Sequence, residues 1–471
     1  MYACRDRGWK GMEQSMERTI RRILVLNGSP AGENSITLYT VLYLQKHFPE
    51  YDYEILHVGQ RIRSMEKDFS GCAEALRRAD LILFCYPVYT FLAPAQLHRF
   101  VELMKAQVPE IRGRFAAQIT TSKHFYDVTA HRYIQDNCDD MGLLYLGGLS
   151  ADMDDLLCDR GRREAREFFS MLLWRAAHGY SEPRRVLLPE TACIADPESV
   201  PDLQQNATGQ TDRSVVIVTD CEPDQEQTAL MKAVHQFQAC MPCTTRVVNL
   251  RTFPFAGGCL GCFHCAASGK CVYHDGFDTY LREQIQTADA IVYAFTIRDH
   301  SMGYRMKLYD DRQFCNGHRT VTMGKPVGYL VDGNLDAEPN LRMLLEARAE
   351  VGGNYLAGIA SHAGHMEAEI RQLADMLGYA MEHRYVPPKN FYGVGGLRIF
   401  RDLIWQMQGL MREDHRFYKK HGFYDFPQKK RGRMLAMYLV GGMMRNRHLQ
   451  KKIGGKMTEG MILPYRKALD K

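Results

Sequence analysis

The sequence predicts an α/β protein: two doubly wound parallel sheets in tandem, followed by a helical extension. Three observations predict it. Short apolar runs that end in turns alternate with helix-forming stretches, the pattern of buried parallel strands joined by crossover helices. The later half repeats the earlier one. Arg78-Ala-Asp-Leu-Ile-Leu-Phe-Cys85 returns as Thr287-Ala-Asp-Ala-Ile-Val-Tyr-Ala294, and the stretch from Gly113 to Thr120 returns as Gly324 to Val331. After Pro387-Pro388 the composition turns to Arg, Lys, Met, Tyr and Gly. The expected divisions are a loose extension over 1–20, a first domain over 21–180, a linker over 181–212 and a second domain over 213–388. A basic helical extension over 389–471 completes the chain.

The elements follow in order. Arg22–Asn27 reads as the first strand, and a helix runs from Ile36 to His47 after a loop rich in Gly, Ser and Thr. A strand over Tyr53–Val58, a helix over Phe69–Arg78 and a strand over Asp80–Cys85 come next. A helix over Pro94–Met104 then leads to a strand over Arg114–Thr121. In the second half Ser214–Thr219, Thr245–Leu250, Thr287–Ala294 and Gly324–Val331 are the matching strands. The extension carries helical patterns near Leu397–Met411 and Met434–Met444. Its Met and Leu are expected to be core against the second sheet, with Lys and Arg as a solvated rim; the other reading is contact with a membrane surface or an acidic partner.

Composition excludes several classes. At 471 residues, 45% hydrophobic, 24% charged and with net charge +5, the chain is an ordinary globular protein without the basic field that nucleic acid demands. Residues 1–20 lack an apolar signal core, and no apolar run nears the roughly 20 residues of a membrane span. A cytoplasmic setting is expected, where 14 cysteines are ligands, redox groups or core rather than disulfides.

Two sets of residues carry chemistry. In the first half three loops meet at the carboxyl ends of the strands, where doubly wound sheets bind ligands. Ser29, Pro30, Asn34, Ser35 and Thr37 lie between a strand and a helix N-terminus, which suits a phosphate monoester. Pro87, Val88 and Tyr89 can wall a flat ring, and Thr121 and Ser122 can close the other side. Together they suit a mononucleotide, a flavin above all. The corresponding loop of the second half carries Asp220, Glu222, Asp224 and Glu226, which would repel phosphate, so one flavin is expected, in the first half. His124 is a loop histidine, more often solvated than catalytic, and no catalytic residue is assigned. In the second half Cys259, Cys262, Cys265 and Cys271 stand at C-x2-C-x2-C-x5-C among glycines. Three readings stay open for them: a 4Fe–4S cluster, zinc, or no metal. Cys240 and Cys243 read as two small thiols at a helix end rather than a redox pair.

Asn27-Gly-Ser-Pro30, Asn34-Ser-Ile-Thr37, Ala79-Asp80 and Tyr86-Pro-Val-Tyr89 resemble the flavodoxin-like NADPH-dependent FMN reductase and quinone reductase superfamily, here in duplicated form. The cysteine stretch, through Asp275 to Ala288-Asp289, resembles its iron–sulfur flavoprotein branch. The resemblance covers about 22–130 and 214–350. It implies an FMN-dependent oxidoreductase that takes electrons from NAD(P)H and hands them to a small-molecule or protein acceptor, with a 4Fe–4S cluster in the cysteine loop and a homodimer among the forms to expect. Alternatives are an electron carrier without turnover of its own, and a scaffold whose second half has lost redox function.

Overall fold

The computed structural model describes residues 20–184, 211–222, 228–361, 366–429 and 431–444. The expected extension over 1–20, apart from Ile20, and most of the linker lie outside these. Ten strands form two five-stranded parallel sheets. The first is built from β1 (Arg22–Asn27), β2 (Asp52–Leu56), β3 (Leu81–Pro87), β4 (Phe115–Ser122) and β5 (Leu144–Asp152) in the order β2-β1-β3-β4-β5. The second is built from β6 (Thr211–Thr219), β7 (Cys243–Asn249), β8 (Ala290–Thr296), β9 (Pro326–Asp332) and β10 (Tyr355–Ser361), with the equivalent order β7-β6-β8-β9-β10. In each the strand order switches sides between the first and third strands, all strands staying parallel, which opens a crevice at the strand ends.

The helices of the first half are α1 (Ile36–His47), α2 (Val58–Lys67), α3 (Ser70–Arg78), α4 (Ala95–Gln107), α5 (Asp127–Asp140) and α6 (Asp159–Ala177). Those of the second are α7 (Ala229–Cys240), α8 (His264–Ser268), α9 (Phe277–Tyr280), α10 (Gly303–Arg312), α11 (Pro339–Gly352) and α12 (Met366–His383). The extension carries α13 (Phe391–Gln406), α14 (Arg412–Lys420) and α15 (Arg431–Met444). By compactness the chain divides into residues 1–415, holding both sheets, and 416–471.

The repeat is physical as well as textual. The Asp80 carboxylate accepts from the Arg22 amide at 2.9 Å, and Asp289 accepts from the Ser214 amide at 2.9 Å, so each Ala-Asp pair ties its strand to the first strand of its half. The halves meet through equivalent helices, α4 on α10 and α5 on α11. The Ala95 amide at the start of α4 donates to Asp311 at 2.7 Å, and the Tyr304 amide at the start of α10 donates to Glu102 at 2.9 Å. Each helix therefore satisfies the first amides of the other, as in a two-fold dimer interface folded into one chain. One apolar cluster runs across this junction, with Phe84, Leu97 and Phe100 from the first half and Phe295, Met306 and Tyr309 from the second. The outer face of each sheet has its own smaller core.

The extension departs from expectation. α13 packs on α11, and its Phe400 ring also stacks on Phe125 of the first half at 4.2 Å. It thus bridges both halves rather than lying on the second sheet alone. α15 does not bury its apolar side chains: Leu435, Tyr438 and Leu439 are exposed. Cys240 and Cys243 sit, half-buried, at the end of α7 and the start of β7.

Candidate active site

The loops after β1, β3 and β4 are shaped by their own polar side chains. Asn27, fully buried, accepts from the Ser29 amide at 3.2 Å and donates to the Gly32 carbonyl at 2.8 Å, which folds the first loop back on itself. Ser35 is the N-cap of α1, accepting from the Leu38 amide at 3.4 Å. The Thr37 and Thr121 hydroxyls meet at 2.6 Å and join the first loop to the third. Thr90 and Phe91 both take positive φ, 40° and 70°, and the buried Lys307 of α10 donates to the Tyr89 carbonyl at 2.9 Å. Lys307 is itself paired with buried Asp311.

These loops open on a cavity of about 470 Å³. Ser29, Asn34, Ser35, Thr37, Pro87, Val88, Tyr89, Thr121 and Ser122 all line it, as do Cys259, Cys262, Cys265 and Cys271. Pro30 is buried and is not on the wall. His124 is also off the wall, about half exposed, with Asp127 at 3.0 Å from its Nδ1. The part of the wall built by the first half holds no carboxylate; its one charged group, Lys123, pairs with Asp152 at 2.7 Å and Asp154 at 2.6 Å. Hydroxyls and amides at a helix start, with Tyr89, Phe91 and Phe125 beside them, fit a phosphate ester bearing a flat aromatic ring.

The cysteine loop closes this cavity from the second half. It follows β7 where α2 follows β2 in the first half, and Arg63 of α2 donates to the Phe255 carbonyl at 3.1 Å and to that of Ala256. Gly261 sits at φ +63°, and a Cβ there would lie 1.9 Å from the Tyr89 hydroxyl oxygen. Only glycine lets the loop lie flat on the tyrosine. Burial, then the neighbouring Cys259, pushes the Tyr89 hydroxyl well above its ordinary pKa. Burial also raises the Cys259 thiol, and it drives that of Cys265 up to about 11, so both are neutral thiols near pH 7. Cys265 donates to the Phe314 carbonyl at 2.7 Å. Among the described residues no three His, Cys, Asp or Glu side chains come together as a metal-binding group. The four thiols share one wall without converging on a centre.

Arg312 was not singled out by its sequence context. Its guanidinium is 1% exposed, bonds both Asp275 oxygens at 2.8 Å and donates to the Gly257 carbonyl at 2.8 Å. It lies 4.4 Å from the Tyr273 ring centre. Asp275 in turn accepts from the Ala256 amide at 2.9 Å. One buried ion pair therefore grips both ends of the cysteine loop. Burial opposes the charge on Asp275, but Arg312 outweighs it and lowers that carboxyl. Phe314, Asn316, His318 and Arg319, which follow α10, and Phe400 of α13 complete the far wall. None of them belongs to a recognisable motif.

The equivalent place in the second half carries carboxylates where the first half offers hydroxyls. Burial lifts the Asp220 carboxyl to about 6. Glu222 pairs with Arg251 at 2.6 Å. Where the first half has Thr90 and Phe91, the second has Asp299, bound by Lys105 at 2.8 Å, and His300, 2.9 Å from Asp140 and 3.0 Å from Glu338. Asp224 and Glu226 lie outside the described residues.

Residues 21–135 match the family described as NADPH-dependent FMN reductase. No curated protein matches the chain. Solved structures similar to it include an FMN-dependent NADH-azoreductase from Bacillus anthracis in complex with FMN, at 14% identity and TM-score 0.25, covering 34% of this chain and 100% of that one. An NAD(P)H:quinone oxidoreductase from Methanothermobacter marburgensis gives 11% identity and TM-score 0.27, covering 36% and 100%. An apo NADH:FMN oxidoreductase gives 16% and 0.29, covering 35% and 91%.

Proposed function

We propose that this chain, whose residues 21–135 match the NADPH-dependent FMN reductase family, is an FMN-dependent NAD(P)H oxidoreductase of the quinone- or flavin-reductase kind, with one flavin per chain. The observation that carries this reading is the cavity wall. Hydroxyls at the start of α1, an aromatic side and no carboxylate from the first half surround a space of about 470 Å³. Bound FMN supplies the hydride acceptor and the relay of electrons to a second substrate. The chain supplies binding and shelter. Ser29, Asn34, Ser35 and Thr37 hold the phosphate, with the α1 dipole favouring its charge. Pro87, Val88 and Tyr89 wall the ring, Thr121 and Ser122 close the near side, and the cysteine loop over Tyr89 keeps water out.

The finer reading places a 4Fe–4S cluster on Cys259, Cys262, Cys265 and Cys271. Their spacing and their shared wall support it, and the spread of the four side chains along that wall does not. No step is routed through it. A carrier that exchanges electrons only with protein partners is the rival reading, favoured by the contact between the cysteine loop and Tyr89.

Anaerobic purification followed by flavin and iron analysis tests these readings together. One FMN per chain and steady oxidation of NAD(P)H with a quinone support the oxidoreductase. Flavin without turnover supports the carrier, and colourless protein that takes up no FMN sinks both. About four irons per chain, lost on Cys262→Ser while FMN is kept, would establish the cluster.

A further inference from the structure

α15 presents a surface that water alone does not stabilise. Leu435 is 64% exposed, Met437 58%, Tyr438 77% and Leu439 64%. The apolar run Met434–Met444 leaves no polar face on this helix, and helices of that kind are stable when something covers them. The flanks say what does. Lys429-Lys-Arg-Gly-Arg433 precedes the apolar run, and Arg445-Asn-Arg447 and Lys451-Lys452 follow it. No Asp or Glu occurs between Pro427 and Thr458.

We propose that this segment docks the protein on an anionic lipid surface, with α15 lying in the headgroup boundary and the basic flanks on acidic headgroups. A second copy of the helix is a poor cover. Both flanks are basic, so parallel and antiparallel pairing alike set Lys and Arg against Lys and Arg. The run is also too short to cross: its 11 apolar residues between Arg433 and Arg445 would rise about 17 Å as helix, short of the roughly 30 Å hydrocarbon core. Among the described residues no helix is long and apolar enough to cross a membrane. The run carries no charge, so its side chains can enter the acyl boundary from every side of the helix, while the Lys and Arg at both ends stay with the acidic headgroups. The inference is independent of the flavin site.

Full-length protein is sedimented with vesicles of phosphatidylcholine, alone or with phosphatidylglycerol. It should pellet with the anionic vesicles at low salt, and binding should fall at least about tenfold at high salt. Leu435→Asp combined with Leu439→Asp keeps every basic residue and should lose about tenfold or more at low salt. These side chains are exposed, so the fold survives, and an unchanged far-ultraviolet spectrum checks it. Equal binding to neutral vesicles, or a double variant that binds as the parent does, overturns the proposal. So does concentration-dependent self-association that the same double variant abolishes, which would make a second copy the cover.

Discussion

The loops after β3 and β8 share a backbone and differ in chemistry. Tyr89 pairs with Leu92 across the first, and Arg298 pairs with Ser301 across the second. Thr90 and Phe91 sit at φ 40° and 70°, and Asp299 and His300 at 50° and 61°. Two consecutive non-glycine residues at positive φ are costly, of order 1 kcal/mol or more each, and persist only where surroundings enforce them. The enforcing element is common to both loops: each leads into a helix whose first amide is accepted by a carboxylate of the opposite helix. The loop conformation thus belongs to the junction between the halves. Its side chains were left free to diverge, toward an aromatic wall in one half and an ion-pair cluster in the other.

The largest test concerns what the second half adds. Arg312 and Asp275 form a buried pair on the cysteine loop, whereas α4, the equivalent of α10, reaches α2 through the part-exposed Arg99–Glu66 pair at 2.7 Å. Arg312→Met leaves Asp275 unpaired and should cost about 3–5 kcal/mol in urea unfolding, with NAD(P)H oxidation falling as the loop loosens over Tyr89. If stability and turnover hold, the loop is positioned by something else. Next is a change that makes the first half resemble the second. Ser35→Asp keeps a capping oxygen for α1 and sets a negative charge at the phosphate end. FMN affinity, read by quenching of flavin fluorescence, should fall about a hundredfold, close to 3 kcal/mol, with little change in apoprotein stability. Unchanged affinity would move the phosphate away from α1.

Much of this contrast was legible in the sequence, because it resides in contiguous residues. The central strands β1, β3 and β8 are nearly continuous apolar runs, the α1 start is marked by Ser35, and the acidic residues after β6 announce themselves. Pro30 shares that loop with Ser29, but its ring is buried off the cavity wall, a distinction that the Gly-Ser-Pro motif does not carry. β5 and β10 were missed: glycines at 147, 148 and 358 interrupt their apolar pattern. The Arg312 clamp joins residues 37 positions apart, and such pairings leave no local periodicity. α15 reads as a core helix by composition, and composition cannot say whether a partner covers it.

A smaller effect separates the halves by pH. Burial alone would lower the pKa of His300, but hydrogen bonds to Asp140 and Glu338 outweigh it and lift it to about 9. The same contact, with Lys105, brings Asp140 down to about 2. The histidine contribution is complete below its unfolded value near 6.5 and is lost as pH rises through 9; that of Asp140 is lost only as pH falls from about 4 toward 2. His300→Gln should therefore destabilise by about 2 kcal/mol at pH 6 and by nearly nothing at pH 9.5, measured by urea midpoints. Phe91→Leu at the matching position should show no such pH dependence. A His300→Gln penalty equal at both values would mean that packing, not charge, holds the loop.

The smallest effect asks where the halves are still the same. Asp80 and Asp289 do one job, accepting a backbone amide from the first strand of each sheet. Neither touches the cavity. Replacing either by Asn leaves an acceptor oxygen in place, whereas Ala removes it and strands the Ser214 amide or, at Asp80, the amides of Arg21 and Arg22, both at the exposed end of the strand. Asp80→Ala and Asp289→Ala should each cost about 1 kcal/mol, and each Asn variant about half of that. FMN affinity should be untouched in all four. The equality carries the weight. If Asp289→Ala costs far more than Asp80→Ala, the second sheet has come to depend on its junction in a way the first has not, and the divergence of the halves reaches below their loops into the sheets themselves.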